Sequence, residues 1–593
     1  MLPLNLLLHH PANQRKGTSN ADQPARQEMG GNQLSHVIVD TLRGAANETY
    51  GHLAARPSLR TISAALVALI FTAIAKEAAQ NARLARRLLI QGVPEQVLTR
   101  TKWWLFGLHR YLLGHMLETN PHARGVHRGP EMAPLLHGQG GIDGWAGCAS
   151  KEPLIVLCRY ALGAPKIVVT DPKALQFILS SNSYRFRKNE MTVRFISMVT
   201  GDAGLLVAQG DMHKRHRRII NPLFNMKTLK PIVPAMLESL GELYAIIDHS
   251  SPSQSLPFHD LSSQLTLNVI GRTAMSHNFD ALSPGGSAVS RAYDEGAKVL
   301  NESLLLMLGL QFPNTIGRVP TRAKQVIKRN VVGTLIKDLL HNAEQNLDGV
   351  MLIHELLRQN QDKALTEHEL VCELRTFLAA GHETTASALK ACILMLAQHP
   401  DVQQKLFEEL DAVAVRLDDY DVLLKLPQLN NVINETLRMY SPSLNSTRNA
   451  GPGGVTIPTS TLGPLHLPEG FRIEIPTRGM LLDPFVWGDD AMEWKPQRWD
   501  SIDLVVGLAD VPVERIVNGR RQIGTYEYMP FLAGPRACIG RQFALMTLRL
   551  FVAGIVHRYQ LTTDMPIGAE TLACAISVRI TDVPIKFARR RDE

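Results

Sequence analysis

A cysteine lies at position 538 in the loop Phe531-Leu-Ala-Gly-Pro-Arg-Ala-Cys-Ile-Gly540, among residues that turn the chain rather than bury it. A structural cysteine behaves as a small hydrophobe inside an apolar periodic segment, whereas this one follows Gly534, Pro535 and Arg536 and precedes Gly540. The next run, RQFALMTLRLFVAGIVHRY, repeats its apolar residues at helical spacing, which puts Cys538 just before a helix N-terminus. Free backbone N–H groups and the macrodipole there favour an anion on sulfur, so the expectation is a thiol of lowered pKa suited to ligating a metal. Gly534 and Gly540 let the backbone turn tightly and let a flat group come close. Arg536 can meet an anionic part of that group.

Two further stretches carry chemistry. Ala380-Gly-His-Glu-Thr-Thr385 places polar groups in a segment whose flanks, TFLAA and ASALKACILML, are apolar. A glycine inside a helix costs about 1 kcal/mol relative to alanine, so local loosening is expected there. Glu383 and Thr384 beside it would make a proton-delivery site; taken alone, the motif reads equally as a solvated helix face with a threonine bonded back to the preceding turn. In LNNVINETLRMY, Glu435 and Arg438 stand at i,i+3 and share a face. Exposed, such a pair is worth only a few tenths of a kcal/mol, so its weight depends on burial.

The chain that must position these groups has 593 residues, 45% hydrophobic and 20% charged, enough apolar material for one large core or two smaller ones. Its six cysteines, at 148, 158, 372, 392, 538 and 574, form no CxxC or Cys/His zinc spacing and are too scattered for a disulfide scaffold. A reducing, cytosol-facing compartment follows. The formal charge of +8 is spread along the chain rather than gathered into an arm. That disfavours nucleic acid and suits an acidic protein partner or an anionic membrane face, and equally a generally basic soluble protein.

Residues 1–60 are polar, rich in Gly, Asn, Gln and Pro, and read as an N-terminal extension without a packed core. Residues 61–75, TISAALVALIFTAIA, carry no charge but fall short of the ~20 apolar residues of a spanning helix. The cluster Arg83, Arg86, Arg87 and the apolar stretch WWLFGLHRYLLG that follow favour a membrane anchor over a buried helix. Asn47-Glu-Thr49 is a glycosylation sequon that would then be lumenal. Residues 76–129 read as linker and hinge, and 130–593 as one large, mainly helical domain. Within it KIVVT (166–170) is a short strand, and Asp171-Pro172 an N-cap with proline in the first helical position. Thr366-Glu-His-Glu369 has capping-box spacing and opens a helix through Gln398, closed by His399-Pro400, of about nine turns.

Taken together these residues resemble the cytochrome P-450 family of haem-thiolate monooxygenases, over residues 130–593. Phe531, Gly534, Arg536, Cys538 and Gly540 match the family's FxxGxRxCxG haem loop, AGHETT its oxygen-activation motif, and Glu435/Arg438 its ExxR. WKPQRW (494–499) is similar to the family's aromatic-Pro-Arg block, with Arg498 completing a triad and Gln497 where glutamate is usual. GDMHKRHRRIINPLF resembles the WxxxR helix, with His213 at the tryptophan position and Arg217 at the basic one; Arg448 stands where the family often has another arginine.

The resemblance implies a mainly α (α+β) fold, a large helical domain around haem with a small β-rich subdomain. It implies haem b held through Cys538 as metal ligand, with Arg536, Phe531, Gly534, Gly540, Arg217, His213 and Arg448 as cofactor-binding residues. Dioxygen would be co-substrate, and Glu383 and Thr384 would deliver protons while one oxygen atom enters an apolar small molecule. No GxGxxG stands in a strand–helix setting, so electrons are expected from a separate NADPH-dependent cytochrome reductase, docking near Arg520, Arg521 and Arg541. Similarity to fungal microsomal members implies the endoplasmic reticulum membrane, a cytosol-facing catalytic domain, lipid contact, and secondary metabolites, terpenoids or fatty-acyl chains as substrates. Two readings compete: a haem-thiolate isomerase, dehydratase or peroxygenase, which would need neither reductase nor proton relay, and a silent helical protein whose cysteine is structural.

Overall fold

The computed structural model describes residues 165–284, 332–413, 416–506, 516–570, 572–574, 577–580 and 582–590, with strand 155–159 and a few positions between 83 and 97. The polar extension, the anchor segment 61–75, the sequon and most of the hinge lie outside the described residues.

A six-stranded sheet forms one layer. Its strands are β1 (Glu95–Val97), β2 (Ile155–Arg159), β3 (Lys166–Val169), β4 (Phe186–Lys188), β5 (Ser446–Ala450) and β6 (Arg472–Ile475), in spatial order β1-β2-β3-β6-β5-β4. β3 is the expected strand, buried along its whole length as its unbroken Ile-Val-Val run requires. The following helix α1 (Pro172–Gln176) starts as expected: the Asp171 carboxylate accepts from the backbone N–H groups of Lys173 and Ala174, and proline takes the first turn.

The helices make the second, larger layer. α2 (Glu190–Thr200), α3 (Gly210–Ile220), α4 (Val233–Asp248) and α5 (Phe258–Met275) precede the long α6 (Glu367–Gln398); α7 (Pro427–Met439) and α8 (Arg541–Arg558) follow. α6 begins at the predicted capping box: Thr366 Oγ1 accepts from Glu369 N, and the Glu369 carboxylate accepts from Thr366 N. It stops before His399-Pro400, because a proline pushes the residue ahead of it out of helical geometry. Its last turns, residues 391–397, are apolar on every face, with Ile393, Leu394 and Leu396 fully buried, and the helix packs against α2, α5, α7 and α8. Each such leucine contributes about 1.5–3 kcal/mol by leaving water, which is why this helix can serve as the spine.

Among the described residues three apolar clusters result, one among the helices, one around the sheet and a small one around Trp487 and Trp499. The cysteine loop straddles the first two: Phe531 and Ile539 pack on the helical core, while Ala533 belongs to the sheet core and Leu532 packs on it.

Candidate active site

The cysteine loop is held by its own backbone and by a neighbour's. Cys538 N donates to Phe531 O at 2.9 Å and Ala537 N to Gly534 O at 3.0 Å, closing the turn. Gly534 has φ +75°, and a Cβ placed there would lie 1.9 Å from Leu179 O, so no side chain fits. From α3, Arg217 Nη1 donates to Ala537 O at 2.7 Å, and the Arg541 guanidinium lies 5.9 Å from the Phe531 ring centre.

Cys538 is solvent-accessible, yet burial by the surrounding chain pushes its thiol pKa up. Both hold when the sulfur faces an interior recess and not bulk solvent. The direction corrects the expectation of a lowered pKa. The Gly540 backbone N–H, Arg217 and Arg541 do lower it, but desolvation of the thiolate outweighs them. A buried sulfur of this kind becomes an anion by binding a cation, which is the behaviour of a ligand rather than of a free nucleophile.

Beside it is an arc of positive charge. Lys188 and Arg448 stand directly opposite each other in the β4–β5 register, a like-charged pairing that disfavours the sheet by itself. Arg536 lies with its guanidinium 5.3 Å from the Tyr184 ring, and its Nε and Nη1 are buried without a hydrogen-bond partner. Tyr184 shares a hydrogen bond of 3.1 Å with His213 Nδ1. Burial, then Arg536 and Arg448, lower Lys188 to about 7; burial, then Arg536, lower Arg448 to about 10. His213 falls to about 3, through burial first and the surrounding cations after it, so it is a neutral imidazole. Lys188 Nζ donates to the carbonyls of Leu205 and Leu206, and Arg448 Nη1 to Ser446 Oγ and Thr447 O. Mutually repelling cations with orphaned donors fit a ligand that brings carboxylates. One sulfur and this arc together fit an iron porphyrin with two propionates.

Of the expected cofactor residues, Phe531, Gly534, Arg536 and Gly540 lie in the loop itself, Arg217 is bonded to the loop carbonyl, and His213 and Arg448 neighbour Arg536. Sequence reasoning missed Lys188 and Tyr184. Their only trace in the sequence is the cationic run Tyr184-Arg-Phe-Arg-Lys188, and the strand register that sets Lys188 against Arg448 is tertiary information.

The proton-delivery candidates lie midway along α6. Contrary to the expected loosening, the helix is continuous through Gly381. There the glycine admits a close crossing: an added Cβ would come 2.7 Å from Ile270 Cδ1 on α5. Thr384 Oγ1 donates to Ala380 O at 2.7 Å, and Thr266 Oγ1 of α5 donates to the next turn's His382 O at 3.1 Å. Ala380 is exposed and residues 381–384 are half-buried, whereas 376–378 and 385–397 are buried, so the middle of α6 is left uncovered here. α6 also packs on α8, the helix that begins three residues after the cysteine.

The third motif is fully internal. Glu435 and Arg438 are both 0% exposed and form two parallel bonds, Nε–Oε2 at 2.9 Å and Nη2–Oε1 at 2.8 Å. Glu435 also accepts from Lys495 N, Trp499 Nε1 and Arg498 Nε, while Arg438 donates to the carbonyls of Leu481, Ala491 and Glu493. Arg498 continues to Asp490, completing the triad; Gln497 is exposed. Tyr528, three residues ahead of Phe531, connects this knot to the cysteine loop, meeting the Trp487 and Trp499 rings edge to face and donating to Asn434 O. Of the expected docking arginines, Arg520 is already committed to Asp503 and to the carbonyls of Asp500 and Ile502, whereas Arg541 is exposed.

Comparison with known proteins agrees with this geometry. The family model described as Cytochrome P450 matches residues 150–577. Cytochrome P450 monooxygenase 128 of Postia placenta is 29% identical over 443 residues, 68% of this chain and 78% of that protein. Cytochrome P450 monooxygenase FUM15 of Gibberella moniliformis is 28% identical across 70% of this chain and 77% of its own length. Ganoderic acid synthetase CYP5150L8 of Ganoderma lucidum is 25% identical across 79% and 92%.

Proposed function

Since the chain belongs to the cytochrome P450 family and is a monooxygenase of it, we propose that it inserts one atom of dioxygen into an apolar small molecule. The observation that carries this reading is the cluster of buried cations beside the Cys538 loop, in which Nε and Nη1 of Arg536 have no hydrogen-bond partner, a setting that the propionates of a haem would relieve. Haem, when bound, supplies dioxygen activation and oxygen-atom transfer. The chain's own residues do the rest. Cys538 offers its sulfur to the iron. Arg536, with its orphaned Nε and Nη1, together with Arg448 and Lys188 offers donors to the propionates. Neutral His213 and Tyr184 complete that edge. Arg217 holds the loop through Ala537 O, keeping the sulfur at a fixed depth.

Glu383 carries a proton from solvent and Thr384 relays it; to do so Thr384 Oγ1 rotates out of its bond to Ala380 O, which costs about 1 kcal/mol. The apolar flanks of α6 exclude water around the substrate. Substrates of the terpenoid, fatty-acyl or other secondary-metabolite kind suit such walls, and the similarity to a ganoderic acid synthetase supports the same class.

Electrons come from an NADPH-dependent reductase, whose acidic face would meet exposed Arg541 beside the cysteine loop. The enzyme works at the endoplasmic reticulum membrane, its catalytic domain in the cytosol, with residues 61–75 in contact with lipid. Among the described residues no helix is long and apolar enough to cross a membrane, and 61–75 lies outside them.

The test is the reduced, carbon-monoxide-treated protein. A red-shifted Soret band that Cys538→Ala abolishes is expected; a band at the position of a nitrogen-ligated haem overturns the reading. Product formation that needs NADPH, reductase and dioxygen together separates the monooxygenase from a peroxygenase or isomerase.

A further inference from the structure

A second group of ligand-bearing side chains lies away from Cys538, where the loop after α2 meets the first turns of α6. Asp202, His368 and Cys372 present one oxygen, one nitrogen and one sulfur, all within 4.8 Å of one another. His368 and Cys372 stand at i,i+4 and so share a helix face. Asp202 reaches them from the loop, because the preceding Gly201 lies directly against the Cys372 side chain. His368 Nε2 is 2.8 Å from Asp202 Oδ1 and 3.7 Å from Cys372 Sγ.

We propose that Asp202, His368 and Cys372 form a zinc site that ties the α2–α3 loop to the long helix. As a stabilising contact alone the trio achieves little: the His368 and Asp202 side chains are 68% and 80% exposed, and such a pair is worth at most ~1 kcal/mol. Its geometry is that of a ligand set. Ligands of a tetrahedral Zn²⁺ with bonds of about 2.0–2.3 Å lie roughly 3.3–3.8 Å apart. The Cys372–His368 separation of 3.7 Å already fits, while the exposed Asp202 carboxylate, 2.8 Å from His368 and within 4.8 Å of Cys372, swings about half an ångström away from the imidazole and towards the sulfur. The exposed side leaves a fourth position for water.

The sulfur is prepared for this role. Backbone N–H groups of Asp202 and Ala203 donate towards it, which stabilises a thiolate, although burial pushes the free thiol's pKa up. Zinc binding releases the thiol proton to solvent as the Zn–S bond forms. Arg375 is a nearby cation; its Nε and Nη2 donate to Val199 O, which fixes the guanidinium on the C-terminal end of α2. One thiolate, one imidazole and one carboxylate select Zn²⁺ over Mg²⁺ or Ca²⁺, which require oxygen ligands. The consequence is mechanical: the loop leads into α3, which carries His213 and Arg217, so the metal stitches that segment to the helix bearing Glu383 and Thr384.

The test uses the full-length, haem-loaded protein, freed of loosely bound metal with a chelator and dialysed against Zn²⁺. One equivalent of zinc is expected, with one sulfur at about 2.3 Å in zinc-edge X-ray absorption. Asp202→Ala and His368→Ala, both at exposed positions, should weaken that equivalent at least tenfold, and Cys372→Ser should remove the sulfur from the zinc shell. His341→Ala, elsewhere on the surface, should leave binding within twofold, and all variants should keep the wild-type carbon-monoxide spectrum. A zinc shell of nitrogen and oxygen only, or wild-type affinity in His368→Ala and Cys372→Ser, overturns the proposal without touching the oxygenase reading.

Discussion

Two buried charged regions flank the cysteine loop, and they are satisfied in opposite ways. Around Glu435 and Arg438 every charge has an opposite charge or a carbonyl within hydrogen-bond reach, and the knot is complete without any ligand. Around Arg536, Arg448 and Lys188 the charges have the same sign, depress one another's pKa values, and leave two guanidinium donors unused. Burial of a charge costs several kcal/mol unless it is paired. The first region recovers that cost within the fold and so specifies structure. The second recovers it only when an anion arrives and so specifies binding. The fraction of satisfied donors, more than burial or charge itself, separates the two roles.

The contrast can be broken most sharply at its functional pole. Cys538→Ala should abolish the red-shifted Soret band and all NADPH-dependent oxygenation, while far-UV circular dichroism stays that of the wild type; retained turnover would dissolve the distinction. At the structural pole, Glu435→Ala strands Arg438 as an unpaired internal cation and should cost about 3–5 kcal/mol, read as a large fall in denaturation midpoint or as failure to accumulate folded protein. Arg536→Met should do the reverse: the haem-free protein keeps or gains thermal stability, while haem binding weakens by roughly 1.5–3 kcal/mol in a titration, the worth of a hydrogen bond to a charged group.

A further effect concerns pH. Lys188 has a folded pKa of about 7 against an ordinary 10.5, so between those values the unfolded chain binds the extra proton and stability rises with pH. In haem-free protein, Lys188→Met should therefore be more stable than wild type near neutrality, with the difference shrinking as pH climbs towards 10. Haem, by placing carboxylates beside Lys188, should raise its pKa and flatten that slope. A difference that does not vary with pH in haem-free protein would mean that neither burial nor the neighbouring Arg536 and Arg448 depresses the lysine.

The sequence made local features readable and left tertiary ones hidden. α6 was legible at both ends because a capping box and a proline are local signals, and the cysteine loop because its glycines, arginine and cysteine sit within ten residues of each other. The triad was legible as a pattern, yet its strength rests on full burial and on main-chain carbonyls from residues 481–493, which no side-chain pattern encodes. Lys188 was invisible because its meaning comes from a strand register that joins residues about 260 apart. The thiol's direction of shift was misjudged for the same reason: the helix N-terminus can be read from a sequence, the desolvation around it cannot. Arg520 looked free for a partner until the β-strand beside it supplied Asp503.

The contact between Gly534 and Leu179 O reaches beyond the turn itself. With backbone against backbone at that point, the height at which the sulfur stands is gauged by residues 177–181, more than 350 positions earlier in the chain and in contact with none of the reacting atoms. That helix closes each turn one residue late, so a single-residue deletion there would lower the platform under the loop and detune the iron while leaving every motif of the haem-binding segment intact.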